Sequence, residues 1–258
     1  METMSRVVAT DLASDLDKQL RAHEAFAHLD RFGRLSRSRS FTSDELETFF
    51  ASLWVFFEEV PTGILALALN ICDATRHASA WRSTELAARV LTANVDEFGL
   101  RRSGDRTHHQ LFIALVNSLG MSGTQLLQSR RVLASAYRLA GTTGKLYRSP
   151  DIMAGIGLHL ASELTSSVEF GHFDAAFRAH AASYGVAAQS DADPFYFFHI
   201  HTLVEPEHYA SAVELAVEVA ALSGDGELRP RLIFGAQAFL DDFGALFRDF
   251  NEMLDRGR

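Results

Sequence analysis

The sequence predicts an all-α protein: a single-domain helical bundle of about seven helices. Apolar residues recur at helical spacing along nearly the whole chain. Only 5 prolines and 17 glycines among 258 residues leave few positions for the turns of a many-stranded sheet. No segment alternates convincingly between polar and apolar residues, as a half-buried strand would. We expect residues 1–40 to form an N-terminal helix and an Arg/Ser-rich linker that pack on the bundle, and residues 41–258 to form the main helical domain.

The order of the helices follows from their start and stop signals. The first is expected from about Asp11 to Leu29, followed by a polar linker from Arg31 to Ser40. The next begins at a capping signature, Thr42-Ser43-Asp44-Glu45, and is divided by Pro61 into two stacked segments. Gly, Ser, Asp and Pro separate the rest. The expected ranges are 43–60, 61–75, 84–98, 108–119, 122–140, 150–184, 193–223 and 229–255.

The bulk composition excludes several classes of protein. A net charge of −9 argues against a nucleic-acid partner or an anionic membrane surface, since both require a positive patch. The single cysteine, Cys72, excludes intramolecular disulfides and cysteine-clustered metal sites, and we expect no catalytic nucleophile. The N-terminus does not resemble a signal peptide, and no apolar stretch reaches the roughly 20 residues that span a bilayer. The default location is cytoplasmic.

His201, Glu205 and His208 form the most informative motif. In a helix, offsets of four and seven residues place these side chains within roughly 60° of one another on one face. Two imidazoles and a carboxylate converging from one helix would make half of a metal site with mixed nitrogen and oxygen ligands, which favours iron or manganese. The alternative is the wet face of an amphipathic helix.

Polar residues within apolar helix faces are candidates for the other half of such a site, because burying them unpaired costs several kcal/mol. The candidates are Glu97, His108, Glu163, Glu58 and Glu59. His108 is preferred over the adjacent His109, because neighbouring helical residues point in different directions. Each also has a structural alternative. Glu163 could be solvated, Glu97 could be an acid at a helix end, and Glu58 and Glu59 could be surface charges.

Taken in order, these motifs resemble the haem-oxygenase-like di-metal oxidases, the iron-containing redox enzymes. The resemblance covers residues 43–223 and rests on four pieces. They are Asp96-Glu97-Phe98-Gly99, then His108-x-x-Leu111-Phe112 ending at Leu119-Gly120, then Glu163, and finally His201-x3-Glu205-x2-His208. The family usually has Asp where Glu205 stands. Some of its members take the first carboxylate ligand from an early helix, as Glu58 or Glu59 would provide, and others from nearer the histidine motif, as Glu97 would.

The resemblance implies two Fe(II) ions, with manganese as the alternative metal, and O2 as co-substrate. The implied ligands are Glu97, His108, Glu163, His201, Glu205 and His208, with Glu58 or Glu59 as a further ligand. It also implies oxidation of a small amine, amino acid or heterocycle in specialised biosynthesis. The extra carboxylates favour N-oxygenation over oxidative C–C or C–N cleavage of an amino or fatty acid. An external electron donor and a homodimer are further expectations.

Two other functions stay open at this point. The chain also resembles, more distantly, the pyrroloquinoline-quinone synthases and the thiamine-degrading enzymes, whose pockets work without metal or with a cysteine nucleophile. The third hypothesis is a helical binding or scaffold protein, in which the polar residues named above would face solvent.

Overall fold

The computed structural model describes residues 14–100, 105–186, 193–223 and 228–257, and none of these residues forms a strand. The chain is all-α, as predicted, but it has more helices than about seven. The helices are α1 (14–21), α2 (Glu24–Ser38), α3 (Ser43–Phe57), α4 (Glu59–Thr75), α5 (Ala80–Ala93), α6 (His108–Ser118), α7 (Gly123–Leu126), α8 (Ala134–Tyr147), α9 (Ile152–Ala179), α10 (Tyr196–Ser223) and α11 (Leu228–Arg256), with a 3-10 turn at Ala181–Tyr184.

Helix α9 is the centre of the bundle. Every residue from Ile152 to Thr165 is buried, as expected of a helix that is covered on all sides. Helices α10, α11 and α2 pack along it, and α8 and α4 contact its first half. A polar side chain on this part of α9, such as Glu163, therefore lies inside the protein.

A cluster of phenylalanines joins the outer helices to α9. Phe32 of α2 stacks on Phe49 of α3 with ring centroids 5.6 Å apart, and both rings meet Phe173 of α9 edge-on. Phe247 of α11 closes the cluster against Phe32 and Phe173. Buried aromatic rings contribute both a large apolar area and specific edge-to-face geometry. This packing fixes the helices at one end of α9.

The N-terminal part of the chain differs from the prediction. A break at His23, whose ring accepts a hydrogen bond from the Ala25 amide, divides the expected first helix. Helix α2 then continues to Ser38, so most of the expected linker is helical. Its apolar face is buried, and its arginines are exposed on the opposite face. The Arg/Ser composition thus marks a solvated helix face. The division of the chain at residue 40 stays a prediction.

The predicted helix 122–140 is wrong. The chain forms the short α7, then a non-helical segment, and only then α8. Side chains of α3 hold this segment: Ser129 donates to Glu47, and the Leu133 amide donates to Ser52 Oγ. These tertiary contacts outweigh the local helical spacing.

The join between α3 and α4 lies at Glu58 rather than at Pro61. Pro61 is in the first turn of α4, where a missing backbone N–H costs no helical hydrogen bond. By length and composition, the stretch Ser43–Thr75 could cross a membrane, contrary to the expectation that none could, and a third of its most apolar window is buried. Every 18-residue window within it includes Glu58. Core helices of water-soluble proteins pass the same test.

Candidate metal centre

Two groups of side chains have the spacing of metal ligands. Glu97, His108 and His201 form the first group. Glu163, Glu205 and His208 form the second. Within each group the candidate ligand atoms lie within 4.8 Å of one another, and all six residues except the partly buried Glu97 are buried. The structure thus brings together the six residues that the sequence singled out.

The start of α6 positions His108 beside Glu97. Thr107 caps the helix with a reciprocal capping box to Gln110, which makes His108 the first helical residue. The His108 amide donates to the Glu97 carbonyl at 3.3 Å, and its Nδ1 donates to Glu97 Oε1 at 2.7 Å. Gly99 allows this return of the chain. Its φ is 64°, and a Cβ there would lie 2.8 Å from the Arg106 and Thr107 backbone.

Helix α10 supplies three of the six residues from one face and runs continuously through Pro206. His201 Nδ1 donates to the Phe197 carbonyl at 2.6 Å, one turn earlier. This bond fixes the tautomer that leaves Nε2 free to bind a metal, as is usual for metal-bound histidine. The His201 ring also stacks on Phe170, with centroids 3.8 Å apart, so its orientation is fixed from two sides.

The second group joins α9 to α10. His208 Nδ1 lies 3.4 Å from Glu163 Oε2 and 3.4 Å from Glu205 Oε2. Burial, and next the charge of Glu163, raise the pKa of Glu205 well above its usual range. Burial also opposes ionisation of Glu163, but its hydrogen bond with Glu205 and the nearby histidines outweigh burial and lower its pKa. Without a bound metal ion, Glu205 is therefore the protonated carboxyl of this pair and Glu163 is the ionised one.

Asp96 is a site residue that the sequence analysis did not propose as a ligand. It is buried, and its two carboxylate oxygens lie 3.5 Å from His108 Nε2 and 3.5 Å from His208 Nε2. Asp96 therefore spans the two groups. The acidic pair Asp96-Glu97 in the motif was the signal that could have identified it.

The histidines respond to these carboxylates. Burial alone would lower the pKa of His108, but the charge and hydrogen bond of Glu97 raise it. The pKa of His208 is likewise raised, because the carboxylates of Asp96, Glu163 and Glu205, which lie 3.4 to 3.5 Å from its ring nitrogens, outweigh burial. Burial, and then the charge of His108, hold the pKa of His201 well below its usual range. The site as a whole stabilises positive charge.

The residues fit a pair of divalent metal ions. Glu205 Oε2 and His208 Nε2 are buried and have no hydrogen-bond partner among the described residues, which is costly unless a ligand occupies them. Carboxylate oxygens and imidazole nitrogens are a donor set that suits iron or manganese. The carboxylates of Asp96, Glu97, Glu163 and Glu205 would balance the charge of two divalent ions.

Glu58 and Glu59 do not lie in either group. Glu58 is exposed at the join of α3 and α4, and Glu59 pairs with Arg148 of α8 at 3.0 Å. Because the join comes before Pro61, the first turn of α4 directs Glu59 towards α8. The structure therefore gives no support to either residue as the extra ligand.

A pocket lined by residues of both groups opens beside the candidate ligands. Its walls are mainly aromatic, with Phe57, Phe112, Phe170 and Phe197 among them, and Ser162 and Ser166 add hydroxyl groups. None of the described residues that line it is Lys or Arg. Phe57 and Phe197 line the pocket, whereas Phe49 and Phe50 belong to the core.

Comparisons with known proteins agree with this geometry. Two crystal structures of a CADD-like protein of unknown function from Nostoc punctiforme PCC 73102 have the same fold. One has 15% identity and a TM-score of 0.66, with 96% of each chain covered. The other has 16% identity and a TM-score of 0.69, covering 94% of this chain and 97% of that chain. No curated protein matches the chain.

The model of the family described as iron-containing redox enzyme matches residues 50–243. This range is most of the chain and includes all six residues of the two groups as well as Asp96. The all-α bundle and the carboxylate and imidazole groups within it are those expected from the sequence motifs. The chain belongs to the iron-containing redox enzyme family of haem-oxygenase-like proteins.

Proposed function

We propose that this protein is an O2-dependent, non-haem di-iron oxidase that oxidises a small amine, amino acid or heterocycle in specialised metabolism. The observation that carries the proposal is the pair of buried groups, Glu97/His108/His201 and Glu163/Glu205/His208, with Asp96 between them. Two such groups, side by side in a helical bundle, are the arrangement of di-iron carboxylate proteins. Membership of an iron-containing redox family supports iron over manganese.

The residues have distinct roles in this proposal. Each group would hold one Fe(II) ion, and together the two ions would supply electrons for the reduction of O2. His201 is oriented by its bond to Phe197, and His108 by its position at the start of α6. The aromatic walls of the pocket exclude water from the substrate side of the site.

The pocket and Asp96 bear on the substrate and the reaction. None of the described residues that line the pocket is Lys or Arg, the side chains that would bind a substrate carboxylate. The pocket therefore favours a substrate that presents an amine or another neutral or cationic group. Asp96 would provide the extra carboxylate that was expected from Glu58 or Glu59, and this favours N-oxygenation over bond cleavage. Transfer of one oxygen atom to nitrogen requires two further electrons to restore Fe(II), and we propose an external donor for them.

The test is an anaerobic Fe(II) titration of metal-free protein. The loaded protein is then given small amines as candidate substrates under 18O2, and the products are analysed. We expect two equivalents per chain and one 18O atom on the nitrogen of the product. His208→Ala should bind about one equivalent and lose turnover, because a ligand of the second group is missing. The matched control is His199→Ala, since His199 is exposed on the opposite side of the same helix.

The outcomes separate the hypotheses. Binding of no Fe(II), or full turnover by His208→Ala, would contradict the di-iron assignment. Two bound equivalents with 18O in a carbonyl or carboxyl product, and none on nitrogen, would keep the di-iron assignment and replace N-oxygenation by bond cleavage.

A further inference from the structure

A buried tyrosine lies next to the second group of candidate ligands. Tyr147, the last residue of α8, is 1% exposed, and its hydroxyl oxygen lies 2.9 Å from His159 Nδ1, within hydrogen-bond distance. The same nitrogen lies 3.3 Å from Glu163 Oε1. One imidazole ring therefore separates the phenol from a residue of the metal centre. Neither Tyr147 nor His159 lines the aromatic pocket, so the pair has no contact with a substrate bound there.

The surrounding helices are shaped to hold this phenol. A Cβ on Gly63 of α4 would overlap the Tyr147 ring, so only glycine leaves room for it. Asn70 of the same helix donates to the Tyr147 carbonyl at 3.3 Å and to the Ser149 carbonyl at 3.2 Å. Asn94 of α5 places its amide 3.5 Å from His159 Nε2. Phenylalanine would fill the same apolar space without a polar group to satisfy, so packing alone does not account for the hydroxyl.

We propose that Tyr147 is a redox-active residue that gives one electron to the metal centre after O2 has oxidised it. The O–H bond of the hydroxyl breaks, and its proton forms an N–H bond at His159 Nδ1. The electron passes to the metal centre and lowers the oxidation state of one iron ion by one. Tyr147 becomes a neutral phenoxyl radical, and O2 is the terminal oxidant. This inference rests on the proposed function for its oxidant.

The geometry suits such a step. The proton has only the 2.9 Å from the hydroxyl to His159 Nδ1 to cross, and its loss together with the electron leaves the Tyr147 oxygen uncharged. The positive charge that His159 gains lies 3.3 Å from the Glu163 carboxylate. Burial, and next the charges of Glu163 and Glu97, hold the pKa of Tyr147 well above its usual range, so the group is a neutral phenol. The radical would be shielded from solvent. When O2 reacts before substrate has bound, Tyr147 would supply the metal centre with one electron.

The test is electron paramagnetic resonance on the full-length, Fe(II)-loaded protein, frozen at intervals after mixing with O2 without substrate. We expect the signal of an organic radical near the free-electron g value. This signal should become narrower when the protein contains ring-deuterated tyrosine. Tyr147→Phe should lose the signal while binding the same number of Fe(II) ions. Tyr184→Phe is the matched control, because this half-buried tyrosine bonds the Phe41 amide rather than the metal centre. His159→Phe should also lose the signal, because the proton has no acceptor.

Each outcome decides the proposal. An unchanged radical in Tyr147→Phe, or Fe(II) binding and O2 consumption without any radical, would overturn the role of Tyr147 and leave the oxidase function standing. Absence of both Fe(II) binding and O2 consumption would overturn the two together. If Tyr147→Phe does not fold, His159→Phe and the deuterated wild-type spectrum decide. A signal that deuteration does not narrow, or that survives in His159→Phe, contradicts the proposal.

Discussion

At the scale of single residues, Glu169 is a buried carboxyl that lies outside both groups of candidate ligands. It lies on α9, is 2% exposed, and has no hydrogen bond or ion pair to any described residue. Burial raises its pKa to about 8, from a usual value of 4.5. In the folded protein at neutral pH it is therefore uncharged, whereas in the unfolded chain it would be ionised.

This difference predicts a pH-dependent stability. Because the folded pKa is raised, the folded state holds one proton more than the unfolded state between about pH 4.5 and 8. The free energy of unfolding should therefore fall as the pH rises through this window, by on the order of 5 kcal/mol, and level off above it. Glu169→Gln should remove this part of the slope. Urea unfolding at several pH values measures it.

The control for Glu169→Gln is Glu252→Gln on α11, whose side chain is exposed. The control should keep the slope of the wild-type protein. If Glu169→Gln keeps it as well, the carboxyl is hydrated or paired in solution, and burial does not perturb it.

The residues of the two groups could be singled out as candidate ligands from the sequence because their signal is local. Helical periodicity alone places His201 and Glu205 on one face, and a glutamate among apolar residues marks Glu163. Asp96 and Tyr147 could not be assigned in this way, because their partners lie far away in the sequence and depend on how the helices pack. For the same reason the sequence does not show that Glu59 pairs with Arg148, since the direction of its side chain is set by where α3 ends and α4 begins.

At the scale of elements, two helices begin with the same capping box. Thr107 and Gln110 begin α6 beside the metal centre, and Thr42 and Glu45 begin α3 away from it. Both boxes satisfy backbone N–H groups that would otherwise lack partners. Only the first also holds a candidate ligand, because His108 is the residue that follows Thr107.

Thr107→Ala and Thr42→Ala should each lower the free energy of unfolding by about 1 kcal/mol. Thr107→Ala alone should weaken binding of one of the two Fe(II) ions, because fraying of the first turn moves His108 away from Glu97 and His201. Denaturant unfolding gives the stability, and Fe(II) titration gives the affinity. Equal Fe(II) affinities in both variants would show that the Glu97 contacts hold His108 without the cap.

Helix boundaries could be predicted where the signals that set them lie within the helix itself. The boundaries of α10 and α11 follow from sequence signals within the helices. The interruption between α7 and α8 does not, because Glu47 and Ser52 of a distant helix hold that segment. Tertiary contacts decide such boundaries, and a single sequence does not display them.

At the scale of the whole molecule, the candidate ligands come from three separate parts of the chain. Residues 96–108 precede and begin α6, Glu163 lies in the central α9, and residues 201–208 lie in α10. The unfolded chain cannot hold these residues together, so metal binding depends on the packing of all three. Metal binding and global folding should therefore be thermodynamically coupled.

This coupling predicts a thermal shift. A ligand at 100 times its Kd that binds only the folded state contributes about 2.7 kcal/mol, which for a chain of this size raises Tm by roughly 5 to 10 °C per site. Fe(II), added anaerobically, should raise Tm by the effect of two sites, and Mn(II) should also raise it. Mg(II), which prefers oxygen ligands and retains its water, should have little effect. Glu163→Gln, with one group incomplete, should lose about half of the Fe(II) shift. A full shift in that variant would mean that the ions bind elsewhere on this acidic protein, and it would remove Glu163 from the proposed site.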